Sequence, residues 1–236
     1  MVIAAWTIAW SLSMASLNAP MPAPPAPAWA QQVYASCGLA GALSPEAFEA
    51  ACSAYQQRRR QWSRDVLTII DYTLPSTEKR LFVIDLARKV LLYESHVAHG
   101  RNSGSLLARS FSNRAGSLMS SLGAYRTAET YQGKHGYSLR LDGLERGLND
   151  RARDRAIVVH AAPYADPAHI GRCGRLGRSQ GCPALPPALS SDIIDAISGG
   201  SCLFVWGDPS SQTRSCAVPR PEPRPTHISP SSCRGN

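Results

Sequence analysis

Between residues 66 and 206 the apolar side chains come only in short runs, and runs of that length build strands rather than long helices. The runs at 66–72, 81–85, 89–96, 156–161 and 203–206 are short and β-branched or apolar. Leu81-Phe82-Val83-Ile84-Asp85 and Val90-Leu91-Leu92-Tyr93 flank Leu86-Ala87-Arg88-Lys89, the pattern of a hairpin. Gly123-Ala124-Tyr125-Arg126-Thr127 and Tyr137-Ser138-Leu139-Arg140-Leu141 predict two further strands separated by Gly133 and Gly136. Eighteen prolines and eighteen glycines in 236 residues favour a loop-rich, mainly β architecture over a helical bundle.

Helix signals are confined to two places. Ser44-Pro45-Glu46 supplies a hydroxyl cap, a proline at the first helical position and an acid in the first turn. Phe48, Ala51, Cys52 and Tyr55 then fall at i, i+3, i+4 and i+7, one face that can dock on a larger body. A second helix is expected near 191–197, stopped by Gly199-Gly200. The Gly- and Ser-rich stretch 98–149 reads as long loops, which on a β body carry function.

The two ends differ from the middle. Residues 1–30 hold no charged side chain, run apolar from Val2 to Leu17, and end in Ala28-Trp29-Ala30. That is a secretory signal pattern, and an apolar run of about 16 residues is shorter than the roughly 20 of a membrane span. A lipid anchor at Cys37 is disfavoured, because Tyr34-Ala35-Ser36 is a poor lipobox. After Gly207 the chain turns Pro/Ser/Arg-rich and cannot build a core. The expected organisation is a signal peptide over 1–30, a helical segment over 31–65, a β domain over 66–208 and a tail over 209–236.

The net charge of +8 suits a polyanionic surface or a carboxylate-bearing substrate. No basic run interleaved with aromatics points to nucleic acid. Seven cysteines agree with an oxidising compartment, and the odd number leaves one thiol over. Cys37 with Cys52 is the pairing expected first, with Cys182 the leftover thiol.

Two residues carry candidate chemistry. Cys182 stands in Gly177-Arg178-Ser179-Gln180-Gly181-Cys182-Pro183, and His160 ends Ile157-Val158-Val159-His160. An imidazole beside a thiol lowers its pKa and shuttles its proton. Gly181 permits a tight turn in which the N–H groups of Gly181 and Cys182 can converge on an oxyanion. Ser179 can hold the turn by hydrogen bonding, and a carbonyl near Ala161 can fix the His160 tautomer. Residues alone leave two readings open: Cys182 as nucleophile or as a disulfide half, His160 as base or as a core histidine. His96 and His99 have i,i+3 spacing without an acid cluster, so no metal site is expected.

His160, a loop, and then Ser179-x-Gly181-Cys182 resembles the signature of the YkuD-type L,D-transpeptidases. Phe111-Ser112-Asn113, the 120–127 and 133–139 segments, and Gly174-Arg175-Leu176-Gly177-Arg178-Ser179 are similar to the murein L,D-transpeptidase catalytic-domain subfamily. The resemblance covers about 67–206. It implies a YkuD-like mixed β-sandwich with peripheral helices, located in the periplasm or cell wall. It also implies a thiol acyltransferase working on peptidoglycan stem peptides without a cofactor. Cys182 would be the nucleophile and His160 the base; Gly181, Ser179, Gln180 and Ala161 would support the turn. Arg178, Arg175, His135, Tyr137 and Tyr125 would meet substrate. This chain departs from the common family pattern at Gln180, where histidine is usual. It departs again at Pro183-Ala184, where an aliphatic residue and then Arg or Asn are usual. Arg175 and Arg178 are the expected replacements for that missing carboxylate contact.

Overall fold

The computed structural model describes residues 27–213. In chain order its strands are β1 (Val66–Asp71), β2 (Leu81–Asp85), β3 (Val90–Ser95), β4 (Phe111–Ser112) and β5 (Gly123–Gly133). They continue with β6 (Gly136–Gly143), β7 (Val158–Ala161), β8 (Ala184–Leu185), β9 (Cys202–Trp206) and β10 (Gln212–Thr213). The helices are α1 (Ala28–Ser36), α2 (Pro45–Gln57), α3 (Ala168–Cys173) and α4 (Pro187–Ile197).

Every residue of β1 is buried. Successive strand side chains point to opposite faces, so such a run needs cover on both sides. On one face Val66 and Ile70 pack with Val83, Leu203, Val205 and the α4 residues Ile193 and Ile194. On the other, Leu67 and Ile69 pack with Phe82, Ile84, Phe204 and the α2 residues Phe48 and Ala51. The sheet is therefore the middle layer, and α1 and α2 close its second core. Ser44 caps α2 by accepting from the Ala47 N–H at 3.1 Å, with Pro45 opening the helix as its sequence predicts.

Eight strands form one mixed sheet in the order β3-β2-β1-β9-β5-β6-β7-β8. β1–β9 and β7–β8 pair in parallel and the other neighbours antiparallel. A two-stranded ribbon joins β4 to β10. The architecture is mainly β with peripheral helices, as expected.

Several local expectations need correction. Cys37, Cys52, Cys173, Cys182 and Cys202 are all free thiols, so the expected Cys37–Cys52 bridge does not form. Both residues are buried, but Cys37 caps α1 whereas Cys52 lies on the α2 face turned to the sheet, close enough to Cys202 to raise its pKa. α4 begins four residues before the expected start, because Pro187 opens it. The chain also remains paired beyond 209, through β10. Most of the proposed signal segment, and Cys216 and Cys233, lie outside the described residues. Among the described residues no helix is long and apolar enough to cross a membrane.

Candidate active site

β7 and β8 bring His160 and the Cys182 turn together. His160 pairs with Ala184, two residues after Cys182, in the parallel β7–β8 ladder. The turn before Ala184 is tied down on its other side: the Ser179 N–H donates to the His99 carbonyl at 2.9 Å. The Arg101 N–H donates to the Ser179 carbonyl, and Ala98 and Ala184 exchange backbone bonds. The loop that precedes β8 is therefore held at one sheet edge by backbone hydrogen bonds.

The turn has an internal brace. Ser179 Oγ donates to the Cys182 carbonyl at 2.6 Å and accepts from the Gly181 N–H at 3.0 Å. The Gly181 carbonyl accepts from Ser120 Oγ at 3.1 Å. Gly181 has φ +124°, and a Cβ there would stand 2.8 Å from the Met119 carbonyl oxygen, so only glycine fits. This corrects one expectation. The Gly181 N–H does not converge with that of Cys182 on an oxyanion, because Ser179 already uses it. Among the described residues the Cys182 N–H has no protein acceptor and remains available.

Cys182 Sγ accepts from the Val158 N–H at 3.5 Å and faces the Ala156 carbonyl at 3.6 Å. Burial pushes the thiol pKa up, opposed by the Val158 N–H, the Arg155 guanidinium and Lys134. His160 is buried, and its Nδ1 lies 2.8 Å from the Ala161 carbonyl oxygen. A carbonyl only accepts, so Nδ1 carries the proton and Nε2 keeps the lone pair. Burial lowers the His160 pKa, and His135 and Lys134 lower it further against the Ala161 contact. Both shifts favour the uncharged forms, so the resting pair is a thiol and a neutral imidazole.

Cys182 and His160 line one cleft of about 560 Å³. Of the expected site residues, His135, Arg178, Ser179 and Gln180 line it too. His135 stacks on His160. Arg178 is exposed, its Nη1 held by the carbonyls of Arg101 and Gly104 at 3.1 and 2.9 Å. Gln180 is exposed at the rim and does not brace the turn.

Three expectations fail on geometry. Tyr125 is buried beneath the turn, its hydroxyl donating to the Ser121 carbonyl at 2.9 Å, so it meets the core and not a ligand. Ser138 is the β6 residue opposite His160; Tyr137, one position before it, therefore points to the other face. Its hydroxyl donates to Asp195 of α4 at 2.6 Å. Arg175 follows the left-handed Gly174 cap and folds back onto the Leu176 carbonyl, outside the cleft lining.

The cleft also contains residues that sequence reading did not single out: Arg155, Lys134, Tyr131, Tyr164 and Arg101. Lys134 was legible in part, since it sits beside His135 in a quoted motif. Nothing distinguishes Arg155 in sequence, because it ends an arginine-dense segment that reads as a solvated loop. Among the described residues no group of three His, Cys, Asp or Glu could hold a metal ion. His96 Nε2 contacts the Thr77 carbonyl and His99 Nδ1 contacts Arg80.

The YkuD_2 family, described as an L,D-transpeptidase catalytic domain, matches residues 39–206. No curated protein matches the chain. Among solved structures it is similar to an L,D-transpeptidase from Mycobacterium smegmatis, at 15% identity and a TM-score of 0.38 over 61% of this chain and 59% of that one. L,D-transpeptidase 3 from Mycobacterium tuberculosis matches at 12% identity and 0.40, over 61% and 62%. An L,D-transpeptidase from Stackebrandtia nassauensis matches at 12% identity and 0.38, over 77% of both chains. The chain spans about three-fifths of the first two structures it matches.

Proposed function

Because this chain belongs to the YkuD_2 family of L,D-transpeptidase catalytic domains, we propose that it is an exported thiol acyltransferase acting on peptidoglycan stem peptides. The observation that carries the reading is the His160 contact to the Ala161 carbonyl at 2.8 Å. It leaves Nε2 as a base in the cleft that Cys182 also lines.

In the reaction, Nε2 takes the thiol proton as Sγ attacks the carbonyl of the third, diamino-acid residue of a stem tetrapeptide. The carbonyl π electrons move to oxygen, and the Cys182 N–H donates to that oxyanion. Collapse breaks the amide bond; the departing D-alanine amine takes the proton from His160. The side-chain amine of a second stem then attacks the thioester, passes a proton to Nε2 and expels the thiolate, which is reprotonated by His160. A new amide joins two diamino acids. In this reading Arg178, held at the rim by the Arg101 and Gly104 carbonyls, meets a carboxylate of the donor.

The test is incubation with purified tetrapeptide stems and product identification by mass. Wild type should release D-alanine and form a cross-linked dimer, and Cys182→Ala should do neither. Free tripeptide without dimer would mean that water is the acceptor. A product pattern unchanged in Cys182→Ala would reject the assignment.

A further inference from the structure

Arg155 is a half-buried guanidinium without an acid. Its Nη1 donates to the Ser112 carbonyl at 2.8 Å and its Nη2 to the Met119 carbonyl at 2.6 Å. Ser121 Oγ and Ser117 Oγ accept from it at 3.3 Å each. All four acceptors are neutral, and among the described residues no carboxylate pairs with it. A charge taken out of water is usually paired. This one is instead clamped by carbonyl and hydroxyl oxygens, which hold its position and leave its charge uncompensated.

The clamp aims it at the nucleophile turn. Nη2 lies 3.3 Å from where a Cβ of Gly181 would stand, and Arg155 lines the cleft with Cys182. We propose that Arg155 is a positioning residue whose fixed, unpaired guanidinium supports negative charge on Cys182 Sγ. The inference rests on Cys182 being the nucleophile. Burial makes the thiolate costly, and a cation fixed beside the turn offsets part of that cost without the reorganisation a mobile side chain would need. The electrostatic coupling runs both ways: Arg155 lowers the Cys182 pKa, and Cys182 raises that of Arg155.

Other charges face Cys182. Asp154, the acid lining the cleft, stands on the same loop as Arg155. The β5–β6 turn contributes Lys134 and His135, with Tyr131 behind them. His160 lies on β7 and Arg178 on the loop before the nucleophile; Arg101 and Tyr164 complete the walls. Tyr72 lies beneath; burial above all raises its pKa, and the Cys182 charge adds a little. Of the cations, Lys134, Arg101 and Arg178 are exposed and screened by solvent, whereas Arg155 is half-buried and less screened.

The experiment is iodoacetamide alkylation of the full chain across pH, read at the Cys182 peptide by mass spectrometry. Wild type, Arg155→Gln and Arg155→Lys are compared, with folding checked by circular dichroism. Arg155→Gln should raise the midpoint by about one unit, the low end of the roughly 1–3 units that a nearby opposite charge contributes. Arg155→Lys keeps the charge but gives up the fork that clamps it, so its midpoint should rise by clearly less than that of Arg155→Gln. A uniform loss of rate in a folded Arg155→Gln protein, with the midpoint unmoved, would mean a packing role only and would overturn the proposal. If Arg155→Gln does not fold, Arg155→Lys decides: a midpoint displaced by about a unit overturns it. Alkylation needs no peptide substrate, so failure of the transpeptidase reading would show separately, as stem turnover that survives Cys182→Ala.

Discussion

The imidazole of His135 stacks on that of His160, with ring centroids 4.3 Å apart and planes 23° from parallel. His135 sits in the exposed β5–β6 turn, between Gly133 and Gly136, so an exposed hairpin tip covers one face of the buried base. The Ala161 carbonyl holds the Nδ1 edge of the same ring. A face contact and an edge contact together leave Nε2 one direction to point.

Replacing His135 should therefore separate orientation from charge. An aromatic pair contributes about 0.5–1.5 kcal/mol, so His135→Ala should lower kcat by about twofold to about thirteenfold with little change in KM. His135→Phe should keep most of kcat. Both should raise the His160 pKa, since His135 holds it down. The acid limb of the pH–rate profile then moves to higher pH. An acid limb identical in wild type and His135→Phe would contradict the coupling.

The acid limb of the wild-type protein should lie below pH 6.5, because burial disfavours the imidazolium of His160. Protonated His160 cannot act as base, so activity is lost as pH falls through this lowered value. His160→Gln should reduce kcat by about 10²–10⁴-fold and remove that limb. A kcat/KM profile measured from acid to neutral pH decides it.

Gly181→Ala places a Cβ 2.8 Å from the Met119 carbonyl at a φ that alanine resists. The strain should cost about 1–3 kcal/mol, read as a lower urea midpoint. The displaced turn should also cost at least about 10²-fold in activity, since a shift of about 1 Å at a reacting atom is enough. Wild-type stability in Gly181→Ala would show that the turn relaxes freely.

His99 makes stability depend on pH. It is fully buried beneath the site, and burial, followed by the Arg80 guanidinium, lowers its pKa from 6.5 to about 3. The unfolded chain binds a proton there below 6.5, while the native protein does so only near 3. Native stability is thus complete above 6.5 and falls as the pH drops towards 3. At about pH 5 the loss should be about 2 kcal/mol. His99→Gln should flatten the urea midpoint between about pH 7.5 and 5 relative to wild type, whatever its stability at neutral pH. An equal slope in both proteins would remove His99 as the cause.

Much of this molecule could be read along the chain because it depends on local pattern. The β2–β3 hairpin, the β5–β6 pair and the Ser44 cap follow from periodicity, turn glycines and a hydroxyl before proline. Tyr125 and Tyr137 could not be assigned this way. Both lie in motif segments, but which face each takes depends on a strand's partner and register, and one position reverses it. The Cys37–Cys52 pairing failed for a related reason: proximity in sequence says nothing of which way a helix-cap thiol and a helical thiol face.

The sequence by itself determined the strand content, the glycine-dependent turn at 179–182 and the presence of one thiol and one imidazole separated by a loop. Only the tertiary structure decided what surrounds them. It set His135 against His160 and brought Arg155 to the turn without a counter-ion. Each of these depends on contacts between segments distant in the chain, where burial and unpaired charge set the energies, and no local pattern encodes them.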